Sequence, residues 1–90
     1  MDETIYQLYA DIGDNLVKLE NVDDAIVFYE KCLQINPNYA TCHLSLGNAY
    51  FKLGNKEQAL KYFNNSFEID PNSSVTLSSI AAAYLEIKEP

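Results

Sequence analysis

Three residues of the types that most often perform chemistry stand near one another in this sequence: Cys32, Cys42 and His43. His43 is the only histidine, so the chain by itself supplies neither a Ser-His-Asp triad nor a zinc site with two histidines. Neighbouring residues on a helix point about 100° apart, which does not suit a metal shared by Cys42 and His43. We therefore predict no enzyme activity, no metal and no cofactor, and two reduced, structural thiols.

The glycine-containing stretch LSLGNAYFKLGN, from Leu44 to Asn55, is a second candidate for chemistry. Phosphate-binding glycine loops follow a strand and have G-x-G-x-x-G spacing, or a Lys-Ser or Lys-Thr pair after the last glycine. None of these features surrounds Gly47 or Gly54. Because the apolar residues of the stretch recur at helical spacing, we interpret Gly47 as a helical residue that lets a second helix approach closely.

The charge of the chain restricts its partners. Thirteen acidic residues outnumber six lysines, arginine is absent, and the net charge is −7. This field repels nucleic-acid phosphates and anionic membranes, and lysine lacks the bidentate fork of arginine. No stretch approaches the roughly 18 apolar residues that a membrane span needs. We expect neither nucleic acid nor membrane as a partner, and the acidic start without a signal-peptide pattern predicts a cytoplasmic protein.

The chain repeats itself with a period of 34 residues. The identical pairs between the first two repeats are Gly13 with Gly47, Lys18 with Lys52, Leu19 with Leu53, Asn21 with Asn55, Ala25 with Ala59, Ile35 with Ile69, Pro37 with Pro71 and Asn38 with Asn72. Self-similarity at a fixed period is typical of a solenoid. We predict one domain, 1–90, with repeat 1 at about 6–39, repeat 2 at about 40–73, and a partial third repeat or capping helix at 74–90.

Each period divides into two helices, which predicts an all-α fold. Asn38 is placed to N-cap a helix that ends before Gly54, a residue suited to the left-handed C′ position. Asn55 caps the next helix, with Gln58 giving a variant capping box. Glu20 replaces the C′ glycine of the first repeat, so we expect a less tightly closed turn there. The five predicted helices span roughly 3–18, 22–36, 39–53, 56–70 and 73–88.

Small residues on both helices of a pair predict close packing. Gly13 and Gly47 lie on the first helix of each pair, and Ala25 and Ala59 lie on the second. A glycine inside a helix costs about 1 kcal/mol relative to alanine. Burial of neighbouring large side chains exceeds that cost, since each contributes about 1.5–3 kcal/mol.

These residues resemble the tetratricopeptide repeat, whose pattern places an aromatic residue, then Leu-Gly, Tyr, Ala, Phe and Pro at set intervals. The second repeat carries the pattern as His43, Leu46, Gly47, Tyr50, Ala59, Phe63 and Pro71. The first carries Tyr9, Ile12, Gly13, Leu16, Ala25, Tyr29 and Pro37, and the partial third carries Leu77, Ile80, Ala81 and Tyr84. The resemblance covers nearly the whole chain, about two and a half repeats.

The resemblance implies a right-handed α-solenoid whose first helices line a concave groove that binds a peptide or helix of a partner protein. A well-known groove of this family clamps the acidic tail of a chaperone with lysine, arginine and asparagine. The clamp positions fall here on Ala10, Asp14, Ser45, Val75 and Ser79. None supplies the required cation or amide, and Asp14 repels a carboxylate. We therefore expect a protein-interaction scaffold or adaptor that is not of the clamp type.

The predicted groove residues come from the first, third and fifth helices. They are Gln7, Asp11, Asp14, Thr41, Leu44, Ser45, Asn48, Phe51, Val75 and Ser78. Because the surface is acidic at its N-terminal end, we expect it to favour a partner segment with a basic or neutral polar portion near Asp11 and Asp14. The alternative is that both aspartates only solvate an exposed helix face.

The fifth helix supports a competing prediction. It carries apolar residues that a continuing solenoid would cover, and terminal repeats normally need a polar outer face. Either the chain is a fragment of a longer repeat protein, or it self-associates as a homodimer. The residues predicted for self-association are Leu77, Tyr84, Leu85 and Ile87.

Overall fold

The computed structural model describes residues 5–88, which form five α-helices: α1 (Ile5–Lys18), α2 (Val22–Ile35), α3 (Ala40–Lys52), α4 (Lys56–Ile69) and α5 (Ser74–Lys88). No strand occurs within this range. The helix bounds differ from the predicted ones by at most one residue, apart from the predicted start of the first helix at residues 3 and 4, which lie outside the described residues. The all-α prediction is confirmed.

The helices pack as successive antiparallel pairs. The most extensive contacts are those of α1 with α2 and of α3 with α4, while α2 against α3 and α4 against α5 join the pairs. One core cluster surrounds Tyr29, Cys32, Cys42 and Leu46, and a second contains Ala59, Phe63 and Ala83. This order of contacts places α1, α3 and α5 next to one another along one side of an α-solenoid.

Gly13 and Gly47 are packing glycines, as predicted. A Cβ atom on Gly13 would lie 2.5 Å from Cε1 of Tyr29, and one on Gly47 would overlap the ring of Phe63 and lie 3.1 Å from the Ala59 carbonyl oxygen. The space left by each glycine is therefore filled by an aromatic ring of the second helix. The alanines, four residues before each ring, permit the approach.

The expectation that Glu20 leaves a looser turn is wrong. Glu20 adopts the left-handed conformation with φ 62°, close to the 85° of Gly54 at the equivalent position. Equivalent hydrogen bonds close both turns: Glu20 N to Val17 O (2.9 Å), Asn21 N to Leu16 O (2.8 Å), Gly54 N to Phe51 O (3.0 Å) and Asn55 N to Tyr50 O (2.9 Å). The backbone bonds of the motif hold Glu20 in a conformation that a side chain disfavours.

Of the N-caps predicted for α3 and α4, the one of α4 is present. Asn55 Oδ1 accepts a hydrogen bond from the Gln58 N–H at 3.3 Å, which confirms the cap of α4. Asn38 does not cap α3, because the helix begins only at Ala40. The Asn38 N–H instead donates to Oδ1 of Asn36 at 3.3 Å, within a turn that precedes the helix.

Candidate functional site

A pocket of about 470 Å³ opens between the C-terminal halves of α1 and α3. Its lining combines charged, polar and apolar side chains: Asp14, Val17 and Lys18 of α1, Tyr29 of α2, and Ser45, Asn48, Ala49, Phe51 and Lys52 of α3. We call it the α1/α3 pocket. Because α1 and α3 are the first helices of their repeats, the pocket lies on the side of the solenoid where a groove was predicted.

Tyr29 fixes the carboxylate of Asp14 at the wall of this pocket. The Tyr29 hydroxyl donates a hydrogen bond of 2.6 Å to Asp14 Oδ1, and the tyrosine is only 2% exposed. Burial raises the pKa of Tyr29 well above its ordinary value of 10.0, and the hydrogen bond to Asp14 and the charge of that carboxylate raise it further. Tyr29 therefore remains a neutral donor, and one oxygen of Asp14 stays engaged while the other is left for a ligand.

The two lysines of the pocket occupy equivalent positions of the repeat, in the last turns of α1 and α3. A cation there interacts favourably with the helix dipole, which accounts for both residues structurally. Within residues 5–88 the one ion pair joins Lys56 and Glu86 at 3.9 Å. Neither Lys18 nor Lys52 is thus neutralised by a carboxylate in the described part of the chain.

Four of the ten predicted groove residues border the α1/α3 pocket: Asp14, Ser45, Asn48 and Phe51. The set of ten does not include the five others that line it: Val17, Lys18, Tyr29, Ala49 and Lys52. The sequence did contain a signal for the two lysines, because Lys18 and Lys52 occupy the same position of the 34-residue repeat. Residues at one repeat position lie on neighbouring first helices, so both lysines could be expected on the same side of the solenoid. Tyr29 was predicted only as a position of the repeat pattern, and its hydroxyl reaches the pocket from the core.

The other six predicted groove residues are not brought into this pocket. Gln7 and Asp11 border a separate surface depression of about 340 Å³ together with Ile5 and Leu8. Thr41 and Leu44 border a small cavity of about 50 Å³ near Ser66 and Thr76, and two further residues are exposed on α5, Val75 and Ser78. A binding role for these six positions remains a prediction.

The residues predicted for self-association lie on the surface of α5. Their exposed fractions are 47% for Leu77, 50% for Tyr84, 64% for Leu85 and 38% for Ile87. The residues that match Leu77 and Tyr84 in the earlier repeats are only partly exposed, because α2 covers α1 and α4 covers α3. The equivalent face of α5 is therefore open among residues 5–88, and self-association through it remains a prediction.

The cysteines and the histidine have structural surroundings. Cys32 and Cys42 are buried free thiols, and burial raises the pKa of both above the ordinary value of 9.0. His43 Nε2 lies 2.8 Å from the Pro37 carbonyl oxygen, and its ring stacks on Tyr62 at 6.0 Å. Within the described range no three His, Cys, Asp or Glu residues cluster as metal ligands would.

None of the five helices described here has both the length and the apolar composition that crossing a membrane requires.

The structure is a helical repeat protein, an α-solenoid in which helix pairs follow one repeated sequence pattern. Comparison with protein families gives the same class. The chain matches two family models: TPR repeat over residues 13–54, and tetratricopeptide repeat over residues 40–73. The chain belongs to the tetratricopeptide repeat family.

The curated relatives that this chain matches are much longer than the matched segment. Sperm-associated antigen 1 of Rattus norvegicus and that of Mus musculus are each 42% identical over 51% of this chain, which is 6% of their length. Among solved structures, MamA protein is similar, with 30% sequence identity and a TM-score of 0.88. The match covers 99% of this chain and 48% of the MamA chain.

A second solved structure is the first TPR of Spaghetti (RPAP3) bound to the HSP90 peptide SRMEEVD. It has a TM-score of 0.93 and 20% identity, and the match covers 98% of this chain and 72% of that one. At this identity the likeness shows the fold alone.

Proposed function

We propose that this chain is a protein–protein interaction module without catalytic activity, which binds a peptide or helix of a partner protein in the groove of α1, α3 and α5. The observation that carries the proposal is the α1/α3 pocket, where apolar side chains lie beside fixed and unpaired polar groups. Pockets that combine an apolar lining with a few placed polar groups are typical of ligand sites.

The partner that this surface favours differs from the acidic tail of a chaperone. Of the clamp positions, Ala10 is buried, Asp14 is negative, and Ser45, Val75 and Ser79 are uncharged. A basic or neutral polar portion near Asp14 is better matched than two adjacent carboxylates. The net charge of −7 disfavours nucleic acid and anionic membrane as partners, and we propose a cytoplasmic location.

Selection from a library of random dodecapeptides on the immobilised chain tests this function. We expect enriched peptides to lose binding when Asn48→Trp fills the α1/α3 pocket. Asn64→Trp is the matched control, because Asn64 is also an exposed asparagine, lies on α4 and borders no described pocket. Peptides that bind both variants as tightly as the unchanged chain would contradict groove binding.

Self-association through α5 is the second candidate function. The open apolar face formed by Leu77, Tyr84, Leu85 and Ile87 favours it. A second copy that covers this face would replace the contact that α2 and α4 provide to the earlier repeats. The two functions are compatible, because the α1/α3 pocket contains no residue of α5.

A further inference from the structure

We infer that the α1/α3 pocket selects a partner segment that carries both charges. A lysine or arginine of the segment is held by Asp14, an apolar side chain packs between Val17 and Phe51, and an aspartate or glutamate is held by Lys18 and Lys52. This inference rests on the proposed function and specifies the chemistry of its ligand.

The acidic half of the ligand follows from the two lysines. They are two of only six cations in a chain of net charge −7, and both line one pocket. Neither has a carboxylate within 4.0 Å among the described residues. A ligand carboxylate between Lys18 and Lys52 supplies the missing counter-charge, and two ammonium groups on adjacent helices fix its position more closely than one does.

The basic half follows from Asp14. Its Oδ1 is held by the Tyr29 hydroxyl at 2.6 Å, and no lysine of the described residues forms an ion pair with it, although Lys18 lies one helical turn away. The carboxylate is thus fixed in place and retains acceptor capacity toward the pocket. A ligand with only acidic residues would be repelled by Asp14 and by the negative field of the whole chain.

Helix geometry sets the spacing of the two ligand charges. Asp14 and Lys18 are four residues apart on one helix face, which is about 6 Å along the axis. An extended peptide advances about 3.3 Å per residue. The basic and acidic residues of the partner should therefore lie about two positions apart, with the apolar residue beside them. The apolar part of the pocket lining comes from Val17, Ala49 and Phe51.

The dodecapeptide selection tests the inference when its enriched peptides are titrated by fluorescence polarisation. We expect a basic and an acidic residue at the stated spacing. Lys18→Gln with Lys52→Gln should weaken binding about two- to twenty-fivefold, since each of the two exposed ion pairs is worth a factor of about 1.4 to 5. A peptide whose acidic residue is replaced by glutamine should bind the unchanged chain about as weakly as the original peptide binds the double lysine variant. Its affinity should fall little further when it is titrated into that variant.

The matched control is Lys31→Gln with Lys61→Gln, which removes the same net charge from exposed positions outside the pocket. Equal weakening by both double variants would overturn the inference and leave only a general charge effect. Enriched peptides that lose binding in Asn48→Trp but contain no acidic residue would also overturn the inference. That result would leave the proposed function intact. Absence of any peptide sensitive to Asn48→Trp would overturn the proposed function as well.

Discussion

The ring of Tyr29 occupies the space in which a side chain at Gly13 would stand. A Cβ on Gly13 would lie 2.5 Å from the Tyr29 ring, and the hydroxyl of the same tyrosine reaches Asp14 at the pocket wall. One contact therefore connects the sequence repeat to the packing of α1 on α2 and to the geometry of the α1/α3 pocket.

Gly13→Ala should destabilise the fold despite the better helix propensity of alanine. Propensity favours the change by about 1 kcal/mol, whereas overpacking against a buried ring costs about 1–3 kcal/mol. We expect a net loss of about 1 kcal/mol in the free energy of unfolding, measured with urea. In a Tyr29→Leu background the loss should shrink or reverse, and an equal loss in both backgrounds would contradict the contact.

Glu20→Gly should stabilise the chain by about 0.5–1 kcal/mol, because Glu20 has a positive φ that glycine adopts without steric cost. Gly54→Ala is the reciprocal change, and it should destabilise by a similar amount, since no atom lies within 4 Å of the added Cβ and only backbone strain acts. Urea unfolding of both variants measures the pair. A loss of stability in Glu20→Gly would contradict the turn geometry.

Stability should fall as the pH rises above about 9. Burial raises the pKa of two thiols and three tyrosine hydroxyls in the folded state: Cys32, Cys42, Tyr29, Tyr39 and Tyr62. The unfolded chain releases these protons near the ordinary values of 9.0 and 10.0, while the folded chain retains them. Their contribution is therefore complete below about pH 9 and is lost above it.

Urea titrations between neutral pH and about pH 10.5 measure this dependence. Tyr29→Phe serves as the comparison, because it deletes one of the protons that the folded chain retains. Its free energy of unfolding should be lower at neutral pH by about 1 kcal/mol, for the lost hydrogen bond, but should decline less steeply above about pH 10. Parallel curves for both proteins would contradict the assigned role of Tyr29.

Replacing both Asp11 and Asp14 with asparagine should weaken a selected peptide that carries a basic residue. We expect the larger share of the loss, about fivefold or less, from Asp14, because it borders the α1/α3 pocket and Asp11 does not. Asp23→Asn on α2 removes the same charge and should leave the affinity almost unchanged. Unchanged binding by Asp14→Asn would mean that the aspartates only solvate the helix face.

Light scattering over about a hundredfold concentration range measures self-association. A mass that rises with concentration should return to that of the monomer in Tyr84→Asp or Leu85→Asp if α5 forms the interface. Val27→Asp provides the control, because Val27 is a similarly exposed apolar residue on α2. A mass independent of concentration would exclude this second function in the range tested.

The architecture was predictable because the residues that determine each helix and turn occur twice, once in each full repeat. Helical spacing of apolar residues, prolines at Pro37 and Pro71, and glycines opposite aromatic rings each act locally or between sequence neighbours. Asn38 and Glu20 were misread because their conformations depend on turns that other groups close: the Asn36 side chain for Asn38 and backbone hydrogen bonds for Glu20. Residue type alone does not reveal which group closes such a turn.

The candidate site was only partly predictable. Helix-face reasoning identified Asp14 and Ser45, but it treated the first helices as one continuous surface. The structure instead separates eight of the ten predicted residues among three depressions. The predicted groove set did not include Lys18 and Lys52, whose positions in a last helical turn the helix dipole alone accounts for. Lys18 follows Asp14 by one helical turn of α1, but the position of Lys52 in the same pocket depends on how α1 and α3 are arranged, which the sequence of either helix does not state.

The most direct test is calorimetric titration of one enriched peptide into the unchanged chain, the Asn48→Trp variant and the Asn64→Trp variant. If the α1/α3 pocket is the binding site, Asn48→Trp should reduce the affinity at least tenfold, a change of about 1.4 kcal/mol, while Asn64→Trp should match the unchanged chain. Equal affinities for all three proteins would contradict the central claim and place the interaction outside the pocket.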